Sequence, residues 1–190
     1  MCGRYYIEID DEEIRGAINR IAEETVKRPG DKTVKTSGEI FPTDTVPVQT
    51  GVLQYTPMKW GFTGFNNKPV INARSETAVE KPMFRASMLE RRCLIPASGY
   101  YEWQKDGRRK TKYRCYIPNE TIYLAGCYRP EKNSSLSSFV ILTREAVNGL
   151  EAIHDRMPVI IPKEHMSTWL NKTSSAMDHA VEELIFEALM

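Results

Sequence analysis

The sequence predicts an α+β fold: a single domain over residues 1–190, with a largely antiparallel, barrel-like β-sheet flanked by helices. Three observations predict it. The chain has 190 residues, enough for one well-buried core. Most of its apolar runs are short, rich in β-branched and aromatic residues, and separated by turn signals such as "KDGR". Helix-like spacing appears only near the two ends, without the strand–helix alternation that builds a parallel sheet.

In chain order, "DDEEIRGAINRIAEETVK" carries Ile14, Ala17, Ile18 and Ile21 at helical spacing. Acidic residues fill its first turn, and Pro29-Gly30 ends it. Strands follow in "DTVPVQTG", "KPVINAR", "RCLIPASGYYEW", "KYRCYI", "TIYLAGCYR", "SSFVILTR" and "MPVIIP". "PKEHMSTWLN" and the tail "AMDHAVEELIFEALM" read as two closing helices.

Composition excludes several function classes. Lys and Arg number 26 against 25 Asp and Glu, a net charge of +1, so any nucleic-acid binding must come from a local basic cleft. No run approaches the roughly 18 apolar residues of a membrane helix. The start lacks the charged and apolar regions of a secretory signal, so a cytoplasmic location is expected, with a monomer as the default. Cys2, Cys93, Cys115 and Cys127 show no zinc-site spacing, and neither metal nor cofactor is expected. Cys93 and Cys127, in apolar strand-like runs, read as small core fillers.

Cys2 fits that role poorly, because order at a chain end has to be enforced by contacts. Removal of Met1 leaves Cys2 with an α-amine beside a thiol, two nucleophiles on one residue. Three other places hold polar groups that a plain strand does not need. Asn72, Arg74 and Glu76 alternate in "INARSET", which also fits a solvated strand face. Glu102 lies between Tyr101 and Trp103, a setting suited to proton transfer, although an exposed strand end accounts for it equally. His154 and Arg156 lead into the apolar "MPVII", where a histidine is more often structural than catalytic.

"MCGRY", "NARSET", "RRCLIPASGYYEW" and "IHDRMPVII" resemble, in order and spacing, the SRAP family of SOS-response-associated peptidase-like proteins. The similarity runs from Met1 to the helix near Trp169. The family shields abasic sites in single-stranded DNA, and the resemblance implies that partner here. It implies that Cys2 forms the covalent link to DNA and that Asn72, Glu102 and His154 occupy active-site positions. It places Arg4, Arg74 and Arg156 on phosphates, and it sets Trp60 of "PMKWGF" beside the DNA, where it would stack on a base. "EIFPTD" resembles a loop of the family in which Pro42 and Thr43 are kept, whereas Glu39 and Phe41 replace the usual Asn and Ala. The chain is short for the family, so some peripheral DNA contacts are expected to be missing.

An abasic site in its ring-opened form is an aldehyde. A free N-terminal cysteine can add its amine to give an imine and then its sulfur to close a thiazolidine. Loss of a proton beside the imine would cleave the strand, so lyase activity is expected to accompany trapping. Two rivals remain at this point. One is a cysteine peptidase with Cys2 assisted by His154; the other is a non-catalytic module that binds single strands through arginines and aromatics.

Overall fold

The computed structural model describes residues 2–25, 33–132, 134–172 and 174–189. Its first strand, β1 (Arg4–Ile7), is followed by α1 (Glu12–Thr25). Asp11 caps α1, its Oδ1 accepting from the N–H groups of Glu13 and Ile14 at 3.1 and 3.2 Å. Ile14, Ala17 and Ile18 form its buried stripe. The expected stop at Pro29-Gly30 lies outside the described residues.

The strands that follow are β2 (Gly38–Ile40), β3 (Thr45–Gly51), β4 (Gln54–Trp60), β5 (Phe62–Thr63), β6 (Pro69–Val70) and β7 (Asn72–Arg74). Helix α2 (Pro82–Glu90) then leads into β8 (Arg92–Ala97), β9 (Gly99–Asp106), β10 (Arg109–Tyr116), β11 (Ile122–Arg129), β12 (Ser138–Glu145) and β13 (Arg156–Pro158). Short α3 (Met166–Leu170) and β14 (Ile185–Leu189) complete the described chain.

Two sheets dominate this single α+β domain. The smaller has the order β14-β10-β9-β1-β2, with every pairing antiparallel. The larger runs β11-β8-β3-β4-β12, and the β11–β12 pairing closes it into a ring. Its pairings are mostly antiparallel, but β4 and β7 lie parallel to β12. Ring closure follows from nearly uninterrupted burial: all six residues of β8 and the first six of both β11 and β12 are buried, as strands covered on both faces require. Cys93 and Cys127 are fully buried in it, as small core fillers.

The tail departs from expectation. "AMDHAVEELIFEALM" was expected as a helix, but Ser174–His179 is a 3-10 segment and Ile185–Leu189 is β14. Strand β10 supplies an open row of backbone donors and acceptors, and β14 pairs with it from Lys112↔Leu189 to Tyr116↔Ile185. Tertiary pairing thus overrides the local helical spacing. Among the described residues, no helix is long and apolar enough to cross a membrane.

Candidate active site

Cys2 is fully buried, and its chain end is pinned across the seam between the two sheets. Asn72 on β7, which pairs with β12 of the ring, donates its Nδ2 hydrogen to the Cys2 carbonyl at 2.8 Å. The Cys2 Sγ lies 3.9 Å from the Arg4 carbonyl. Burial first, and the nearby Glu102 charge second, push the Cys2 thiol far above its ordinary value, so the sulfur is held as S–H. The Asn72 Oδ1 is buried without a hydrogen-bond partner among the described residues.

Glu102 comes from β9, directly opposite Tyr113 of β10, and is buried rather than exposed at a strand end. Its Oε1 accepts from the Trp103 N–H at 3.2 Å. It shares the inner face with Tyr100 and with Cys115, whose thiol is pushed up to about 12 by burial and, further down, by the Glu102 charge.

Strand β12 gathers the remaining groups. It pairs with β7 at Ile141↔Asn72 and Thr143↔Arg74, and with β13 at Glu145↔Arg156. This brings "NARSET" and "HDR" to one end of β12. His154 Nδ1 accepts from the Arg156 N–H at 3.0 Å and lies 2.6 Å from Asp155 Oδ1. One nitrogen cannot serve both: unprotonated it accepts from Arg156, and protonated it donates to Asp155.

Arg156, expected on a phosphate, is only 9% exposed at its side chain. Nη1 and Nη2 each meet a Glu76 oxygen at 2.8 Å, and Nη2 also reaches the Thr143 carbonyl at 2.6 Å. A phosphate must therefore displace Glu76 to use this fork. Glu76 itself sits in a turn past β7 and does not extend the Asn72–Arg74 strand face. Arg74 is exposed and forms no ion pair among the described residues.

Arg4 is likewise occupied. Its Nη1 donates to Glu39 Oε1 at 3.2 Å, and Lys112 Nζ donates to the same oxygen at 2.8 Å. Lys35 Nζ meets the Glu39 carbonyl and, at 3.1 Å, Asp44 Oδ2. The Arg4 guanidinium also lies over Phe41 at 4.3 Å and Trp103 at 4.9 Å. Partial burial alone would raise the Glu39 carboxyl, but hydrogen bonds from Lys112 and then Arg4 leave it below its usual value.

Pro42 sits in a tight turn closed by Asp44 N–H to the Phe41 carbonyl at 3.1 Å, with Asp44 Oδ2 bracing the Phe41 N–H at 2.9 Å. Thr43 takes φ 76°, a left-handed conformation that β-branched residues rarely adopt.

Trp60 corrects an expectation. It is 0% exposed, 5.3 Å from the Tyr5 ring and stacked 6.4 Å from Phe139, with its Nε1 donating to the Ile71 carbonyl at 3.0 Å. A ring packed on both sides by core cannot stack on a base, so Trp60 is structural. The exposed aromatic of that region is Phe65, 89% exposed beyond β5, followed by Asn66 and Asn67 in left-handed conformations. Sequence reasoning missed it, although an aromatic inside the turn signal "TGFNN" is the mark that could have found it. It missed Lys112 as well, whose place beside Arg4 depends on strand register.

Fold and site together define a class: a single-domain α+β protein whose second residue is a cysteine fixed at the seam of a closed sheet and an open one. The chain belongs to the SRAP family, since the family model for SOS response associated peptidase (SRAP) matches residues 1–189. Among similar curated proteins, the abasic site processing protein YoaM of Bacillus subtilis is 36% identical over 115 residues, covering 58% of this chain and 51% of its own. YedK of Escherichia coli, named likewise, is 31% identical over 131 residues, covering 66% and 59%. HMCES of Xenopus tropicalis, also an abasic site processing protein, is 27% identical over 168 residues, covering 68% and 50%. The matches thus span about half the length of the first of these relatives. A solved structure of a protein from Bacteroides thetaiotaomicron shares the fold, with a TM-score of 0.77 at 22% identity, covering 100% of this chain and 92% of that one.

Proposed function

We propose that this protein processes abasic sites in single-stranded DNA by forming a covalent thiazolidine link through Cys2. The observation that carries the reading is the anchoring of residue 2: its carbonyl is held by Asn72 while its sulfur lies in the field of Glu102. Loss of Met1 is required, because only a free amine can add to an aldehyde.

The order of steps follows from the protonation of the thiol. A buried S–H is a poor first nucleophile, so the amine adds first and gives a carbinolamine. Loss of water yields the imine. The sulfur then adds to the imine carbon, and its proton passes to the imine nitrogen by way of the Glu102 carboxylate. The balance is protein plus aldehyde giving thiazolidine plus one water. His154, able to exchange its Nδ1 partner on protonation, serves as the acid that helps open the sugar. Deprotonation of the carbon beside the imine would instead release the strand by β-elimination.

Arg74 holds a flanking phosphate directly, while Arg4 and Arg156 do so once Glu39 and Glu76 are displaced. The turn at Pro42 and the exposed Phe65 lie on loops suited to contacting the strand. A thiol-peptidase reading is disfavoured by the same raised thiol, since burial and the Glu102 charge oppose formation of the thiolate nucleophile.

Intact mass spectrometry after mixing with a single-stranded oligonucleotide carrying one abasic site tests the proposal. The expected mass is protein lacking Met1 plus DNA minus one water. No adduct from protein shown to have lost Met1 overturns it.

A further inference from the structure

The outward face of the five-stranded sheet carries an arrangement that chemistry at Cys2 does not need. Strand alternation puts Tyr101, Trp103 and Lys105 of β9 outward, with Lys110, Lys112 and Arg114 of β10 beside them. Register sets Lys112 opposite Trp103, Arg114 opposite Tyr101 and Lys110 opposite Lys105. Lys112 Nζ stands 3.7 Å from the Tyr101 ring centre, and Lys110 Nζ 5.0 Å from that of Trp103. Cations therefore recur about every 6.6 Å along β10 and alternate with aromatic rings across the strands.

Glu39 and Glu187 on this face are already engaged, Glu39 by Arg4 and Lys112 and Glu187 by Arg114, and Glu8 lies near its Tyr101 edge. Lys105 and Lys110 are exposed and form no ion pair among the described residues. The face is continuous with Arg4, whose guanidinium lies on Trp103. Past Tyr6 acids predominate, where a cleft is lined by Glu8, Asp10, Asp11, Glu120 and Glu164 against Arg114 and Lys163. Five carboxylates against two cations make that cleft the less favourable side for a phosphodiester, and Lys105 and Lys110 the more favourable one.

We propose that the outer face of the five-stranded sheet is a second, non-covalent track for single-stranded DNA, with half-exposed Trp103 stacking on a base and Lys105, Lys110 and Lys112 holding phosphates. The inference rests on the reading that Cys2 acts on single strands, and it extends the path of the strand beyond that site. A single strand fits because rings and cations alternate, whereas a duplex offers no exposed base faces to the rings.

The test uses undamaged oligonucleotides of two lengths, about 6 and about 20 nucleotides, with the wild-type protein and the Lys105→Glu/Lys110→Glu variant. The wild type binds the long strand more tightly, and the variant loses roughly tenfold of that advantage. Its salt slope for the long strand falls by about 1.4, two contacts at about 0.7 each. Tryptophan fluorescence gives a second readout. Trp60 and Trp169 are fully buried while Trp103 is half-exposed, so quenching by DNA reports Trp103. An unchanged length advantage in the variant, or no quenching by the long strand in the wild type, overturns the track. Crosslinking of a short abasic oligonucleotide by wild-type protein is scored separately. Its failure counts against the Cys2 reading alone, because the length comparison needs no lesion.

Discussion

At the scale of single residues, two carboxylates stand where the strand's phosphates are proposed to bind. Glu39 bridges Arg4 and Lys112, and Glu76 fills the fork of Arg156. Glu39→Gln removes one competitor, so affinity for undamaged single strands should rise severalfold, measured by fluorescence anisotropy at fixed salt; an unchanged or weaker affinity would refute the competition. Cys2→Ala should abolish the adduct yet keep salt-sensitive binding, and persistent crosslinking would remove Cys2 from the chemistry. The sequence showed which residues to suspect: Asn72 holds the Cys2 carbonyl and the Glu102 charge acts on the Cys2 thiol, although Glu102 was open to an exposed placement. It could not show that Arg4 and Arg156 already hold partners. Those contacts join positions 35 and 80 residues apart and exist only after the sheets assemble.

Elements explain where reading by pattern failed. Strands such as β8, β11 and β12 were legible because continuous apolar runs bounded by turns have few other uses. The tail was not, since "AVEELIFEAL" carries helical spacing and becomes a strand only because β10 offers an unpaired edge. Trp60 was misplaced for a related reason: its β4 segment pairs with β3 and β12, which turns the ring inward. Trp60→Ala should therefore cost about 3–5 kcal/mol of stability, read by denaturant unfolding. A loss below 1 kcal/mol with selective loss of DNA binding would return Trp60 to the interface. In the turn after β2, Thr43 holds φ 76° with no side-chain hydrogen bond among the described residues. Thr43→Asn should relieve about 1 kcal/mol and raise Tm by about 2–4 °C. A lowered Tm would mean that the threonine side chain contributes more than its backbone strain costs.

For the whole molecule, near-zero net charge coexists with a face on which cations predominate. The chain carries +1 overall, yet the outer face of the small sheet gathers cations while the cleft past Tyr6 gathers acids. Composition reports the sum and hides the separation. The same distribution fixes the acid response. The carboxyls of Glu39 and Glu76 lie below their ordinary value of 4.5, Glu39 through Lys112 and Arg4 against its own partial burial, Glu76 chiefly through Arg156. Depressed carboxyls add stability that is complete above 4.5 and lost as pH falls through their folded values. Thermal unfolding should thus be flat near neutrality with respect to these groups and steepen below 4.5. Glu39→Gln should blunt that acid slope, and an identical slope would place the acid sensitivity elsewhere.

The depth of Cys2 also sets a clock on maturation. An aminopeptidase needs an extended, accessible start, whereas β1 fixes the chain from Arg4 onward once it pairs with β2 and with β9 at Tyr101. At roughly 5–20 residues per second, about 100 residues emerge in roughly 5–20 s. If Cys2 reacts as proposed, trimming of Met1 should belong to the nascent chain, and protein that keeps Met1 should form no adduct with an abasic oligonucleotide.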